Sequence, residues 1–495
     1  MSVQSLIVDW YPLFLFALLA AWAALLPSAL SRLRRRLSRA RPGTGYLLCA
    51  IVVGALALRF CQPRVHRVYD DEFEHLSAAR TLARTGRFAE ELVGGLRGWN
   101  VFQAPAWPGG HHAALAAVFR AFGDSTAVAF DWSALLGGLT VLFVFWAALE
   151  SGAEERGALA AAFAWAVSPL ALRYAAACDL TSSSLFWCAA ALASLHARES
   201  EPSLASDAFA ALSLAYAVQV RPENVLLLGY AALTTGRRAW ILPALAGAAF
   251  PASIALLNRA MGIPGYSAET TNAFSNLQRQ LPSNIAFLAS ALGFALVIVP
   301  AALLAAARPA VRRLALLSAF FIIVYSSFFM GRFDAGGADR YALSVILPLT
   351  VAAATGLARA PLPAVLLLAG LAWRGPGGPD PERARAERFA ALAKASLPPG
   401  TLVIAFNAPA ARELLDRPAA DAHLVLENDE DFFLHVAQAG SPPLAFYEDW
   451  AWRWNPGPAA ELRRRFDARY VETPAADDGV DSVVLLAAPA RRGRR

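Results

Sequence analysis

Apolar runs long enough to cross, or nearly cross, the ~30 Å hydrocarbon core of a bilayer follow one another from the N-terminus to about residue 374. Lipid offers no water to pair the backbone, so such segments must satisfy their own N–H and C=O groups and form helices. Hydrophobic residues make up 57% of the 495, and the mean hydropathy is +0.43. The chain reads as a polytopic α-helical membrane protein of about 11–13 membrane helices, carrying a C-terminal soluble α/β domain.

The net charge of +6 does not point to nucleic acid. Lys394 is the only lysine, and much of the arginine gathers in short clusters between apolar runs, as membrane topology requires. The cluster SRLRRRLSRAR (31–41) belongs on the cytoplasmic side, so a first helix over 7–30 begins outside. Basic residues follow that run rather than precede it, so it reads as a retained helix and not a signal peptide. A span at 45–60 returns the chain to the outside. Residues 61–123 then form a large non-cytoplasmic loop whose segment 111–123 can lie along the interface.

Spans at 126–149, 157–177 and 181–197 follow. The apolar stretch 207–235 is interrupted by Arg221-Pro222-Glu223, costly in lipid and unable to continue a hydrogen-bond ladder, which predicts a hairpin of two short helices. Further spans are expected at 239–257, 285–307, 314–330, 342–358 and 361–374, with outer loops at 258–284 and 331–341. That count leaves 375–495 outside. A proline- and glycine-rich linker (375–381) leads to alternating elements: strand candidates at 400–406, 422–428, 443–449 and 481–489, with helices at 408–416 and 429–440. Cys49, Cys61, Cys178 and Cys188 show no metal-ligand spacing and read as small apolar residues, a Cys61–Cys178 disulfide being the alternative.

The stretch YDDEFEHLSAAR (69–80) is the densest gathering of titratable groups. As a helix it puts Asp70 and Glu74 on one face and Asp71 and His75 on another. Phe73, Leu76, Ala79 and Leu82 make an apolar seam. Two readings stand: acids placed by the helix macrodipole at an ordinary N-terminal turn, or a partly desolvated carboxylate of raised pKa acting as a general base. A divalent cation, Mg2+ or Mn2+, held by Asp71, His75 and Asp179 is a variant of the second.

Other polar residues carry the same double reading. Arg340, beside Tyr341 at the mouth of a span, suits a phosphate through its forked donors, or anchors the helix to headgroups. Arg221 and Glu223 contact a ligand or pair with each other to fix a helix break. Asp179 orients a ligand, or caps the helix that begins TSSS. His111 and His112 touch phosphate, or are solvated interfacial residues. The loop 258–284 is long enough to be a lid, and the run FYEDWAWRW (446–454) stacks on sugars or anchors at the bilayer surface.

Taken in order, DEFEHLSAARTLARTGRF on the first outer loop, APAWPGGHHAALAAVFRAFGDS, SPLALRYAAACDLTSSSLFW, VRPENVLLL and DRYALSVILPL resemble the GT-C glycosyltransferases that use polyprenyl-phosphate sugars. The similar branch holds protein O-mannosyltransferase-like and aminoarabinose-transferase-like enzymes. The resemblance covers roughly 45–374, leaving 1–44 as an additional helix with its basic loop and 375–495 as a periplasmic α/β domain. It implies Asp71 as catalytic base with Glu72 as its paired acid, Asp70 being the alternative base because the triple acid blurs the register. It further implies a polyprenyl-phosphate-linked donor, displacement with inversion at the anomeric carbon, and a lipid, glycan or protein acceptor. His75, Asp179, Arg221, Glu223, Arg340 and Tyr341 would bind substrate at the periplasmic face of a bacterial inner membrane. A transporter or flippase of lipid-linked sugars, or a non-catalytic membrane scaffold, is the other reading of the same charges.

Overall fold

The computed structural model describes residues 6–94, 101–103, 105, 108–235, 272–291, 293–328, 331–335, 337–359 and 381–487. The spans expected at 239–257 and 361–374, residues 258–271 of the expected lid, and 375–380 of the linker lie outside the described residues. The chain divides into two compact units. One holds Met1–Arg67, Leu82–Arg87 and Ala106–Gly377, and the other Val68–Thr81, Phe88–Pro105 and Gly378–Arg495. Among the described residues, four helices are long and apolar enough to cross a membrane, or six if each of two bent pairs is one span.

Helix α1 (Tyr11–Ser38) runs through the arginine cluster instead of stopping before it. Cations are favoured at a helix C-terminus, and here they are also held. Arg32 donates to Ser200 Oγ at 2.9 Å and to the carbonyl of Glu201 at 3.0 Å, while Arg36 reaches the buried carboxylate of Glu150 at 3.3 Å. Helix α2 (Thr44–Phe60) follows, then α3 (Tyr69–Thr85), α4 (Gly110–Phe122) and α5 (Thr126–Glu150). The span expected at 157–177 is a pair, α6 (Glu155–Ala166) and α7 (Pro169–Ala175), bent by 56° where Pro169 breaks the ladder and Ser168 caps the restart. After α8 (Thr181–Ser200), helices α9 (Leu204–Val220) and α10 (Leu226–Thr235) flank a 3-10 turn at Pro222–Val225. The side-chain amide of Asn224 donates to the carbonyl of Ala217 at 2.8 Å, alongside the Arg221 N–H at 3.3 Å, and so ties the 3-10 turn back to α9.

The second half of the expected loop 258–284 is instead helical: α11 (Ala273–Ser290) is followed by α12 (Val299–Leu304) across an 84° bend. Its polar residues suggested a loop because their partners are remote in sequence. Asn276, Gln280 and Asn284 recur every fourth position on one buried face. Gln280 donates to the carbonyl of Phe328 at 2.8 Å, and Asn284 donates to the carbonyl of Gly331 at 2.8 Å and accepts from the Phe333 N–H at 2.7 Å. They stitch the turn that follows α13 (Pro309–Ser327); α14 (Ala342–Leu357) comes next. Where α6, α14 and α12 meet, glycine lets backbones touch. A Cβ on Gly157 or Gly356 would fall 2.0 Å from the carbonyl oxygen of Ala354 or Ala301 respectively.

The second unit is built on a seven-stranded sheet of order β2-β1-β4-β3-β5-β7-β6. Strands β1 (Glu90–Gly94) and β2 (Val101–Gln103) come from the first loop. Strands β3 (Leu402–Ala405), β4 (Ala419–Asp421), β5 (Leu444–Glu448), β6 (Val471–Asp477) and β7 (Ser482–Ala487) come from the tail. Val93 pairs with Ala420 antiparallel, so loop and tail share one sheet. Helices α15 (Pro381–Ser396), α16 (Ala408–Leu415), α17 (Ala422–Glu427), α18 (Asp429–Gln438), α19 (Trp450–Trp454) and α20 (Pro456–Asp467) complete the unit. Alternation along β3 and β5 feeds two cores: Ile404 and Phe446 pack with Trp452 and Phe466, Val403 and Tyr447 with Phe389.

Two tail elements differ from expectation. Residues 422–427 are helix rather than strand, because Asp421 caps them by accepting the Leu424 N–H at 3.1 Å. Strand β6 was hidden by Pro474, which a sheet tolerates on an edge strand, and β6 is at the edge. No disulfide links the four cysteines.

Candidate active site

The residues singled out from sequence fall into two groups, one in each unit. In the helical unit, three distant motifs converge. Pro222 breaks the apolar hairpin and leaves Arg221 in an extended conformation at the end of α9. The turn Ala338–Tyr341 opens α14 and presents Arg340 and Tyr341. The guanidinium carbons of Arg221 and Arg340 each lie 5.1 Å from the centroid of the Tyr341 ring, within cation–π range. Tyr325, at the end of α13, stacks on the same ring with centroids 4.7 Å apart and planes 13° from parallel. Arg340 Nη2 donates to Tyr341 Oη at 3.3 Å, and Glu223 Oε2 stands 4.0 Å from Arg221 Nε. Both arginines are buried. Arg173 pairs with Asp339 at 3.0 Å, and the Tyr174 hydroxyl also bonds Asp339, tying α7 to the turn that carries Arg340.

Two guanidiniums beside one aromatic ring offer permanently charged, forked donors of the kind that can coordinate an oxyanion. Asp179 is buried, and its two carboxylate oxygens accept from the Thr181 N–H and hydroxyl, so it holds the start of α8. Nearby in sequence, Cys178 Sγ lies 3.6 Å from His66 Nδ1. His111 and His112 are buried, contrary to the solvated reading, and burial pushes their imidazoles down to about 3 and about 4. They pack at the start of α4, where Gly110 sits so close to Gln219 that a Cβ would be 2.7 Å from its backbone.

In the sheet unit, residues 69–80 are helical. Asp70 lies at the helix start, and its side chain is outside the described residues. Glu72 and His75 are buried, and Glu72 Oε1 accepts the Val68 N–H at 2.8 Å, closing the first turn. Asp71 and Glu74 are half-buried and keep contact with water. Glu74 also faces carboxylates that sequence reasoning missed. The Glu90 carboxyl is raised well above its usual range by loss of water, then by Glu74 and Asp421. Burial likewise lifts Asp421 to about 6. Only pairing of β1 with β4 brings these acids together, and nothing local in the sequence announces it. Tyr325 was missed because an aromatic at the end of an apolar run carries no signal of its own, and Asp339, though it opens DRYALSVILPL, was given no role because its partners Arg173 and Tyr174 are remote in sequence.

No protein-family profile and no curated protein matches the sequence. Solved structures do. ArnT from Cupriavidus metallidurans in the apo state superposes with a TM-score of 0.59 at 15% identity, over 90% of this chain and 98% of that one. The same protein bound to undecaprenyl phosphate gives 0.60 at 15% identity, over 91% and 100%. The archaeal oligosaccharyltransferase AglB from Archaeoglobus fulgidus, in complex with an inhibitory peptide and a dolichol-phosphate, gives 0.52 at 12% identity, over 91% and 74%. The chain has the GT-C fold. Within this GT-C fold the Arg-Pro-Glu break and the Asp-Arg-Tyr turn, remote in sequence, meet on Tyr341.

Proposed function

We propose that the chain is a membrane glycosyltransferase that moves a sugar from a polyprenyl-phosphate carrier to an acceptor at the periplasmic face of a bacterial inner membrane. The observation that carries this reading is the buried guanidinium pair of Arg221 and Arg340 on Tyr341. GT-C neighbours crystallised with undecaprenyl phosphate or dolichol-phosphate support it. Asp71 removes the proton from the acceptor hydroxyl or amine. The acceptor atom bonds to the anomeric carbon from the face opposite the phosphate, inverting it, as the bond from that carbon to the phosphate oxygen breaks. Polyprenyl phosphate leaves with the electron pair, and Arg340 and Arg221 stabilise the charge that develops on it. Glu72 fixes the turn on which Asp71 sits.

No step is assigned to a divalent cation.

The test is Asp71→Asn with a polyprenyl-phosphate sugar as donor. Transfer should disappear while donor binding and expression persist. Normal transfer by both Asp71→Asn and Asp70→Asn would remove the base from this helix. Lipid movement across vesicles with no glycosidic product would identify a transporter instead.

A further inference from the structure

The turn between α1 and α2 shapes a groove that the proposed reaction does not use. Its volume is about 700 Å³, within the range of small-molecule sites. Leu48, Val52 and Val53 of α2, with Leu142 of α5, wall it in carbon, while Ser38 and Arg41 line it at the turn. At 1.5 Å per residue, Val53 lies roughly 13 Å along α2 from Thr44, so the groove extends from a charged mouth to a depth of about ten methylenes. The turn is fixed in place: Glu155 accepts the Arg41 N–H at 3.0 Å and the Thr44 hydroxyl at 2.9 Å. Gly43 bends the chain with a φ of 97°, and Gly45 leaves open space, since a Cβ there would meet nothing within 4 Å.

The charge at this mouth is predominantly basic, set against the Glu155 carboxylate that holds the turn. Residues 31–41 contain six arginines and no acid. Arg32 and Arg36 are engaged by Glu150, whereas Arg34, Arg39 and Arg41 are exposed and form no ion pair among the described residues. An exposed guanidinium that lines a carbon-walled groove, that of Arg41, with Arg39 two residues before it on the same turn, matches an anionic headgroup joined to an acyl chain. We propose that this groove is a binding site for an anionic phospholipid, its phosphate on Arg39 and Arg41 and one acyl chain along α2. The site is separate from the transfer chemistry and stands or falls without it.

The experiment reconstitutes the full chain in phosphatidylcholine nanodiscs doped with phosphatidylglycerol and counts retained lipids by native mass spectrometry. Phosphatidylglycerol should be retained over phosphatidylcholine. Arg39→Ala with Arg41→Ala should weaken it about 30-fold, from roughly fivefold per guanidinium near a membrane surface. Gly45→Trp, whose Cβ meets nothing within 4 Å and whose ring adds bulk at a residue that lines the groove, should also release it. Equal retention of both lipids overturns the proposal. So does loss in the arginine variant with full retention in Gly45→Trp, which would mean diffuse attraction to the basic turn and no seated chain.

Discussion

Tyr341 is where the helical unit is most sharply testable. Its ring meets the guanidiniums of Arg221 and Arg340, each 5.1 Å from the centroid, and stacks on Tyr325 at 4.7 Å. A desolvated cation–π contact contributes about 1–2 kcal/mol and an aromatic pair about 0.5–1.5 kcal/mol. Tyr341→Ala should therefore remove roughly 3–5 kcal/mol of organisation around the two arginines. If about 3 kcal/mol of that acts in the transition state, kcat/KM falls on the order of 100-fold. Tyr341→Phe keeps the ring face and removes the hydroxyl that accepts from Arg340 at 3.3 Å, a long contact worth about 0.5 kcal/mol or less. It should stay within threefold of the parent protein. Tyr341→Leu, similar in bulk but without a π face, should behave like the alanine variant. The assay is single-turnover transfer from a polyprenyl-phosphate sugar, paired with thermal unfolding to separate local disorder from collapse. A phenylalanine variant as damaged as alanine would refute the argument, because the hydroxyl and not the ring face would then be organising the arginines.

Further outcomes follow from other contacts. Asp339→Asn removes the charge that pairs with the half-buried Arg173, so stability should fall by about 1–2 kcal/mol in denaturant titration. Gly110→Ala forces a methyl against the Gln219 backbone and should cost about 1–3 kcal/mol, with donor affinity falling too because Gln219 leads directly into Arg221. In the sheet unit, Asp449 is buried and its carboxyl is pushed up to about 7 although it accepts from the Ala451 and Trp452 N–H groups. The folded form then holds a proton that the unfolded chain has released by about pH 4. Resistance of that unit to proteolysis should fall as pH rises from 4 to 7, and Asp449→Asn should make the fall shallower, with Glu90 and Asp421 carrying the remainder. EDTA treatment tests the cation variant of the site: loss of transfer that Mg2+ or Mn2+ restores would give the acidic helix a metal-binding role.

Sequence made the membrane helices legible wherever apolar runs were long, and it located the break at Arg221-Pro222-Glu223 because proline and charge are costly in lipid. Polar residues whose partners lie far away misled it. Asn276, Gln280 and Asn284 read as loop although they bond the turn after α13. The tail boundary at 375 missed the first loop's strands for a related reason. Glu90 to Gly94 is a short, mixed stretch that becomes a strand only when Ala419 and Ala420 are beside it. Of the acidic helix, spacing gave the pairing of faces, but only packing separates buried Glu72 from half-buried Asp71.

That shared sheet also sets a clock on biogenesis. Val93 must wait for Ala420, about 330 positions later in synthesis, before its edge is covered. At roughly 5–20 residues per second, the hairpin spends about 15–65 s as an unpaired β edge. A loop exposed for that long is a natural client for a holding chaperone. A chain stopped at residue 374 would never bury it, so truncation should yield an inserted but sticky protein rather than a smaller working one.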